Sequence, residues 1–313
     1  MSAGLSLNML FRKGILLAVG NPAVESVVDK YGMQMGAARF VAGENIDEAV
    51  VNLKRLEDEG FKTNTTLLGE GIADEAEALA VVGEYIYILD RLHEEGLKTN
   101  LAVKLTHLGL DLGEEVAYRN VERIVEHAAT LGTFVRIDME ESARVDVTLL
   151  IYRNLRTSGH DNVGTVLQSY LYRTERDLKM LMEYQPNLRL VKGAYLEPPE
   201  IAYPDKREVD VAYLRAVKYS LAYGAYTAVA THDDRIIDYV IEFTTRNDIS
   251  QDKFEFQMLY GIRTDLQRDL VNRGYKVLVA TPFGPDWYPY LMRRMAERPA
   301  NLIFVARNML PGA

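Results

Sequence analysis

Short apolar runs alternate with longer amphipathic stretches along most of this chain. The runs are too brief for helices and are bounded by turn-forming residues, so each predicts a buried β-strand. The predicted strands are Thr65–Gly69, Leu101–Leu105, Thr133–Asp138, Gly164–Gln168, Leu188–Ala194, Tyr226–His232, Phe254–Leu259 and Lys276–Thr281.

The stretches between and around these runs carry apolar residues at helical spacing. The predicted helices are Val24–Tyr31, Ile46–Glu59, Ala73–His93, Glu114–Ala129, Val145–Thr157, Glu175–Tyr184, Val209–Tyr223, Asp234–Thr245 and Trp287–Arg298. Asn45 and Gly60 have the chemistry that starts and stops the second of them. Repeated alternation of strand and helix predicts a (β/α)8 barrel, with an open doubly wound sheet as the alternative. With no linker or break in composition, we expect one domain over residues 1–313, in which residues 1–60 are mainly helical.

Composition narrows the classes of function. A hydrophobic content of 48% over 313 residues supplies a large core, and a net charge of −9 argues against a nucleic-acid surface or strong attraction to anionic lipid. The chain has no cysteine, which excludes disulfides, thiolate metal sites and a cysteine nucleophile and fits a reducing cytoplasm. The apolar stretch Gly14–Val19 is too short to span a bilayer. Small molecules are the expected ligands.

Nearly every predicted strand carries a polar residue late in its run. These residues are Lys104, Asp138, Gln168, Arg189, Lys192, Thr231, His232, Glu255 and Gln257. Because the active site of such a barrel lies at the carboxyl ends of its strands, we expect them to converge on one mouth.

Two cations, Arg189 and Lys192, lie in the run Leu188–Ala194. Charges in so short an apolar strand must be paired or must meet an anionic ligand. The strand alone leaves both alternatives open.

Just past the last strand, Tyr290, Arg293, Arg294 and Glu297 are spaced three and four apart and share a helical face. Two guanidinium groups and one carboxylate could hold a zwitterion, the arginines taking its carboxylate and Glu297 its ammonium. A solvated face with internal salt bridges is the alternative.

Other chemistries are less favoured. Lys104 could be a Schiff-base nucleophile, a further cation for an anionic ligand or a salt-bridge partner. No metal is expected, because no histidine is spaced with the carboxylates of Asp138–Glu141 as a ligand pair, and His232 is better placed as a hydrogen-bond donor. No Gly-x-Gly-x-x-Gly, P-loop or Gly-x-Ser-x-Gly pattern occurs.

Taken in order, a series of motifs over nearly the whole chain resembles the proline dehydrogenase family, most of all its monofunctional bacterial form. The motifs are Val103–Leu105, Ile137–Glu141, Val166–Gln168, Leu190–Tyr195, Thr231-His232, Phe254–Gly261 and Arg293-Arg294-x-x-Glu297.

The resemblance implies a distorted (β/α)8 barrel with extra N-terminal helices and a C-terminal helix over the barrel mouth. It implies FAD held without a covalent bond and oxidation of L-proline to Δ1-pyrroline-5-carboxylate, by hydride transfer from the ring carbon next to nitrogen to flavin N5. By motif position, Asp138 and Arg189 would be catalytic. Lys104, Arg293 and Arg294 would bind the substrate carboxylate, with Glu297 near the amine. The residues expected to line the FAD are Met139, Gln168, Lys192, Gly193, Ala194, Thr231 and His232.

In the family, electrons pass on to a membrane quinone. That implies a cytoplasmic protein that contacts the inner face of the membrane transiently, although the sequence contains no evident anchoring helix. The oligomeric state stays open.

One position departs from the family pattern. On the last strand, the family commonly has a tyrosine where this chain has Ala280. The smaller side chain leaves a larger pocket, so oxidation of 4-hydroxyproline is an alternative activity, and a flavin- or proline-binding protein with impaired catalysis is a more distant one. An aldolase using Lys104 is disfavoured by the ordered motifs.

Overall fold

Eight parallel strands close into a barrel in which each strand pairs with the next along the chain and the last pairs with the first. The computed structural model describes residues 37–69 and 71–297, with only the backbone described for 37 and 293–297. The strands are β1 (Lys62–Leu67), β2 (Asn100–Val103), β3 (Val135–Ile137), β4 (Val163–Gln168), β5 (Asn187–Val191), β6 (Tyr226–Ala230), β7 (Phe254–Leu259) and β8 (Val277–Phe283). The predicted fold class is thereby confirmed.

Helices surround the barrel, and all but one, α8, lie close to predicted positions. They are α1 (Ile46–Asp58), α2 (Glu75–Glu94), α3 (Glu114–Thr130), α4 (Val145–Thr157), α5 (Thr174–Leu181), α6 (Lys206–Ala222), α7 (Asp234–Arg246), α8 (Thr264–Asn272) and α9 (Trp287–Glu297). The predicted helix Val24–Tyr31 and residue Arg298 lie outside the described residues.

Helix α1 begins and ends where its capping residues predict. The Asn45 side chain accepts a hydrogen bond from the backbone N–H of Glu48, and the Glu48 carboxylate accepts one from the N–H of Glu44 at 2.9 Å. Gly60 then adopts φ +87°, a conformation that favours glycine. The entry to this helix is joined to the last strand, because the N–H of Ala42 donates to the carbonyl of Pro282.

Several predicted strands are too long at their carboxyl ends. β2, β3, β5 and β6 end before Lys104, Asp138, Lys192 and Thr231 respectively, so these side chains follow the strands and lie on the loops. β1 in turn begins at Lys62, three residues before the predicted start at Thr65. Its first residues were missed because Thr63 and Asn64 are polar, although both are buried.

The two faces of the barrel wall differ in polarity. Side chains such as Leu101, Val135 and Leu188 point outward and join the hydrophobic core under the helices. The alternate positions point into the barrel, and the strand register places Asn64, Arg136, Arg189 and Gln257 in one interior layer contributed by β1, β3, β5 and β7. The interior under the mouth is therefore polar.

Candidate active site at the barrel mouth

The fold brings most of the predicted site residues to one rim. Lys104 follows β2, Asp138 follows β3, Gln168 ends β4, Lys192 follows β5 and Thr231 follows β6. Because all the strands are parallel, these positions meet at the carboxyl end of the barrel.

Arg189 and Asp138 form an ion pair at the base of the mouth. The Nη1 atom of Arg189 lies 2.6 Å from Oδ1 of Asp138, and the two side chains are 11% and 25% exposed. The Nε atom of the same guanidinium donates to Oε1 of Gln257 at 2.6 Å. Holding the group on two sides fixes its plane, which a single contact to a flexible lysine could not do.

The polar chain continues below Arg189. Gln257 donates from Nε2 to Oε1 of Glu255 at 2.6 Å, and the other carboxylate oxygen of Glu255 accepts from the hydroxyl of Tyr226 at 2.8 Å. Burial and the charge of Glu255 raise the pKa of Tyr226, so the hydroxyl stays protonated as a donor. The sequence marked Glu255 and Gln257 as polar strand residues but could not show that Gln257 contacts Arg189 or that Glu255 contacts Tyr226, because these partners lie on other strands.

Lys192, the second cation of the β5 region, is also paired. Its Nζ lies 2.5 Å from Oδ1 of Asp210 and 3.6 Å from Oδ2 of Asp233. Burial of Asp233 opposes its ionisation, yet the hydrogen bond from Arg235 and the charge of Lys192 lower the pKa of Asp233 overall. Both cations therefore meet carboxylates of this chain, as the ion-pair alternative expected, Arg189 at the base of the mouth and Lys192 at the rim.

Gly193 has its own structural reason to be glycine. It adopts φ +117°, and a Cβ atom there would lie 2.2 Å from the ring of Tyr170. Ala194 beside it is exposed. This region was expected to be small so that a ligand could approach the backbone, and the structure adds the packing of Tyr170 as a second cause.

Glu140 is a site feature that sequence reasoning missed. It is 5% exposed and accepts from the N–H of Thr106 at 3.1 Å and from its hydroxyl at 2.5 Å. Burial raises the pKa of Glu140, while the Thr106 hydrogen bonds and the charge of Lys104 act in the opposite direction. Its backbone carbonyl accepts from Nε2 of Gln168 at 2.9 Å. Glu140 thus joins the loop that carries Lys104 to the end of β4. In the sequence, Glu140 stood out only as a member of the carboxylate run beside Asp138 and as the neighbour of Met139.

Thr231 and His232 bind backbone groups of the mouth. The Thr231 hydroxyl accepts from the N–H of Asp233 at 3.2 Å, and Nε2 of His232 accepts from the N–H of Leu259 at 2.9 Å. An accepting Nε2 carries no proton, so Nδ1 is the nitrogen left to act as the donor expected of His232.

Helix α9 follows β8, and a side-chain hydrogen bond joins it to the segment just before α1. Nε1 of Trp287 donates to Oε1 of Glu44 at 3.1 Å. The backbone of α9 includes Arg293, Arg294 and Glu297, whose side chains lie outside the described residues. Their grip on a zwitterion stays a prediction.

The described residues contain neither a metal site nor a helix that could span a membrane. Histidine, aspartate and glutamate side chains in residues 37–69 and 71–297 form no group that could hold a metal ion. Within the same ranges, none of the helices has both the length and the apolar composition needed to cross a bilayer.

Comparison with known proteins gives consistent matches. The family model described as Proline dehydrogenase matches residues 49–307. A proline dehydrogenase of Deinococcus radiodurans is 45% identical over 98% of this chain and 100% of its own length, and Proline dehydrogenase 1 of Bacillus subtilis is 42% identical over 96% and 99%.

Among solved structures, proline utilization A from Bdellovibrio bacteriovorus, inactivated by N-propargylglycine, superposes with a TM-score of 0.81 at 26% identity. The match covers 93% of this chain and 36% of that protein, so the chain corresponds to about a third of its length.

Proposed function

Because this chain belongs to the proline dehydrogenase family, we propose that it oxidises L-proline to Δ1-pyrroline-5-carboxylate with FAD bound non-covalently at the barrel mouth. The observation that carries the proposal is the Arg189–Asp138 pair at the base of that mouth. When bound, FAD would supply the two-electron acceptor for a hydride from the ring carbon next to nitrogen, and the substrate amine would give up a proton.

Arg189 and Asp138 are the residues we assign to catalysis. A flavin gains negative charge on reduction, and a guanidinium whose plane is fixed in advance stabilises that charge without having to reorient. Asp138 and Gln257 hold Arg189 on two sides. Asp138 also reduces the net positive charge that Arg189 presents.

The donors at the rim fit such a cofactor. Lys192, which Asp210 and Asp233 hold in place, offers N–H donors towards the cofactor, and Gly193 presents backbone with no Cβ. We propose that these residues line the FAD together with Met139, Gln168, Ala194, Thr231 and His232.

We assign the substrate to the opposite part of the rim. Lys104 lies on the loop that Glu140 and Thr106 hold in place, where its charge can meet the proline carboxylate. Arg293 and Arg294 on α9 would complete the grip, and Glu297 would lie near the amine. This division leaves Arg189 to the cofactor.

We further propose that the electrons pass to a membrane quinone, with transient contact between the protein and the lipid surface. Reoxidation of the proline-reduced protein by a quinone in vesicles, compared with molecular oxygen, tests this step. Faster reoxidation by oxygen than by quinone would contradict it.

The proposal as a whole is tested by the visible spectrum. The purified protein is expected to be yellow, or to become so with added FAD, and L-proline is expected to bleach it in the absence of oxygen. A protein that cannot be loaded with FAD would overturn the cofactor assignment. A loaded protein that binds proline without bleaching would support a binding protein with impaired catalysis.

Oxidation of 4-hydroxyproline is a second candidate, favoured by the surroundings of Ala280. Ala280 pairs in register with Asn64 of β1, so both side chains point into the barrel. The Asn64 amide is 1% exposed, and neither its oxygen nor its nitrogen has a hydrogen-bond partner within the described part of the chain. A hydroxyl on the substrate ring would find both space and a polar neighbour there.

The ratio of kcat/KM for L-proline to that for 4-hydroxyproline separates the two candidates. We expect Ala280→Tyr to raise this ratio by roughly one order of magnitude through loss of space. Equal ratios in the native protein and the variant would exclude a role for Ala280 in substrate choice.

A further inference from the structure

Arg136 is a buried guanidinium that the proposed reaction does not use. It lies in the middle of β3, is 3% exposed and donates to the carbonyl of Asn187 at 2.7 Å, the carbonyl of Thr165 at 3.0 Å and Oδ1 of Asn187 at 2.6 Å. All three acceptors are neutral. A buried cation without a carboxylate in contact costs free energy, so its presence in the barrel calls for an explanation.

The barrel is shaped to accept this side chain. Gly164 is the ladder partner of Arg136, and a Cβ atom there would lie 2.6 Å from Nη1 of Arg136 and 2.5 Å from the carbonyl of Asn187. The ring of Phe134 lies 4.9 Å from the guanidinium carbon, within range of a cation–π contact. A glycine on the neighbouring strand, a facing aromatic ring and three acceptors together fix one position for the charge.

The ionisable groups around Arg136 are those of the site above it. Burial and the charge of Arg189 lower the pKa of Arg136, Glu255 and Asp138 act in the opposite direction, and together they bring it to about 9. The group is still protonated at neutral pH. Arg136 and Arg189 belong to the same interior layer of the barrel. Gln257 on β7 belongs to this layer too, and Glu255 lies two residues before it on the same strand.

Asp138, Glu255 and Arg189 form a charged cluster at the base of the mouth. Its charges sum to zero only when Arg136 is counted. Arg189 contacts Asp138 directly and reaches Glu255 through the side chain of Gln257. Two carboxylates against one guanidinium would leave the base of the mouth with a net negative charge. Arg136 brings the sum to zero.

We propose that Arg136 is a positioning residue for the reaction, whose charge offsets Glu255 so that Arg189 keeps its effect on a cofactor that gains negative charge. The inference rests on the proposed function, because it concerns bound FAD. Glu255 then serves to orient Gln257 and, through it, Arg189, at no electrostatic cost to the cofactor.

The affinity of the oxidised, FAD-loaded protein for sulfite measures this effect apart from turnover. Sulfite adds through sulfur to flavin N5 and leaves a negative charge on the ring, so its Kd, read from the loss of visible absorbance, reports the local potential. We expect Arg136→Met to raise the sulfite Kd on the order of tenfold, as loss of one unit charge within a buried site predicts. Arg136→Lys, which keeps the charge, is expected to stay near the native value.

A variant of Glu255, whose charge Arg136 is proposed to offset, gives the matched control. Glu255→Gln removes the charge that Arg136 offsets and is expected to lower the sulfite Kd, since the amide can still bind Gln257 and Tyr226. The double variant Arg136→Met/Glu255→Gln is expected to have a sulfite Kd closer to the native value. If each substitution only disturbed the structure, the two losses of sulfite affinity would add instead.

An unchanged sulfite Kd in Arg136→Met, or a double variant that binds sulfite more weakly than Arg136→Met alone, would overturn the inference. If Arg136→Met does not fold, Glu255→Gln decides alone, and an unchanged or raised Kd in that variant would refute it. Failure of the proposed function would differ from all these outcomes, since the native protein would then take up no FAD or would not be bleached by proline.

Discussion

At the scale of single residues, the site depends on how few conformations its side chains can adopt. Arg189 is held between Asp138 and Gln257, and Gly193 has a backbone and a neighbour that exclude a side chain. Arg189 and Gly193 could both be selected from the sequence, because a cation and a glycine at the end of an apolar run are unusual. The partners Gln257 and Tyr170 could not be predicted, because they lie on other strands and loops.

Arg189→Lys tests the two-sided hold on the guanidinium. A lysine keeps the charge but cannot contact both Asp138 and Gln257 in one plane, so we expect flavin reduction by proline to slow about a hundredfold, roughly 3 kcal/mol of barrier. Stopped-flow absorbance of the FAD-loaded protein measures the rate. Arg273→Lys, in a surface pair with Asp269 on α8, is the matched control and should be unchanged. An undiminished rate in Arg189→Lys would remove Arg189 from the catalytic residues.

Gly193→Ala tests the second constraint. We expect a loss of unfolding free energy of about 3 kcal/mol, from backbone strain together with the contact to Tyr170, and a lower FAD content. Gly224→Ala is the control, because Gly224 has φ +83° but no atom within 4 Å of its would-be Cβ, so only the strain of about 1 kcal/mol remains. Urea denaturation measures both variants. Equal losses would show that Tyr170 does not constrain Gly193.

At the scale of elements, the pattern of apolar residues predicted the strands, as short runs buried on both faces, and most helices, as stretches buried on one face. It failed at the ends: β2, β3, β5 and β6 stop before the polar residue that completes each apolar run. α8 (Thr264–Asn272) was not predicted, since it is short and the residue before it, Arg263, has a left-handed conformation and no capping side chain. The missed ends matter for function, because they place the site residues on loops.

Asp233 links helix α7 to the site, and its contribution to the stability of the protein depends on pH. It caps α7 by accepting from the N–H of Arg235, and it lies next to Lys192. Because its pKa is lowered on folding, its charge stabilises the protein above the unfolded value of 3.8, and this contribution is lost as pH falls through the folded pKa.

We therefore expect Asp233→Asn, which keeps a capping oxygen, to be less stable than the native protein at pH 7 and to approach it as pH falls below about 4. Chemical denaturation at a series of pH values measures the difference. A stability gap that stays constant down to pH 3 would contradict the assignment of the effect to charge.

At the scale of the whole molecule, barrel closure creates the site. Asp138, Arg189 and Gln257 are separated by 51 and 68 residues along the chain, and only the closed register brings them into contact. The sequence could therefore predict the fold and the rim residues, but not the interior chain from Arg189 to Tyr226 or the position of Arg136. Those depend on which strands face each other, a property that no local pattern contains.

The central claim, that this barrel oxidises proline with electrons passing to bound FAD, is tested most directly by a single turnover without oxygen. FAD-loaded protein is mixed with limiting L-proline, and flavin bleaching is compared with the pyrroline product trapped by o-aminobenzaldehyde. We expect one pyrroline formed for each FAD reduced. Pyrroline formation without bleaching, or no bleaching at saturating proline and 4-hydroxyproline, would contradict the account.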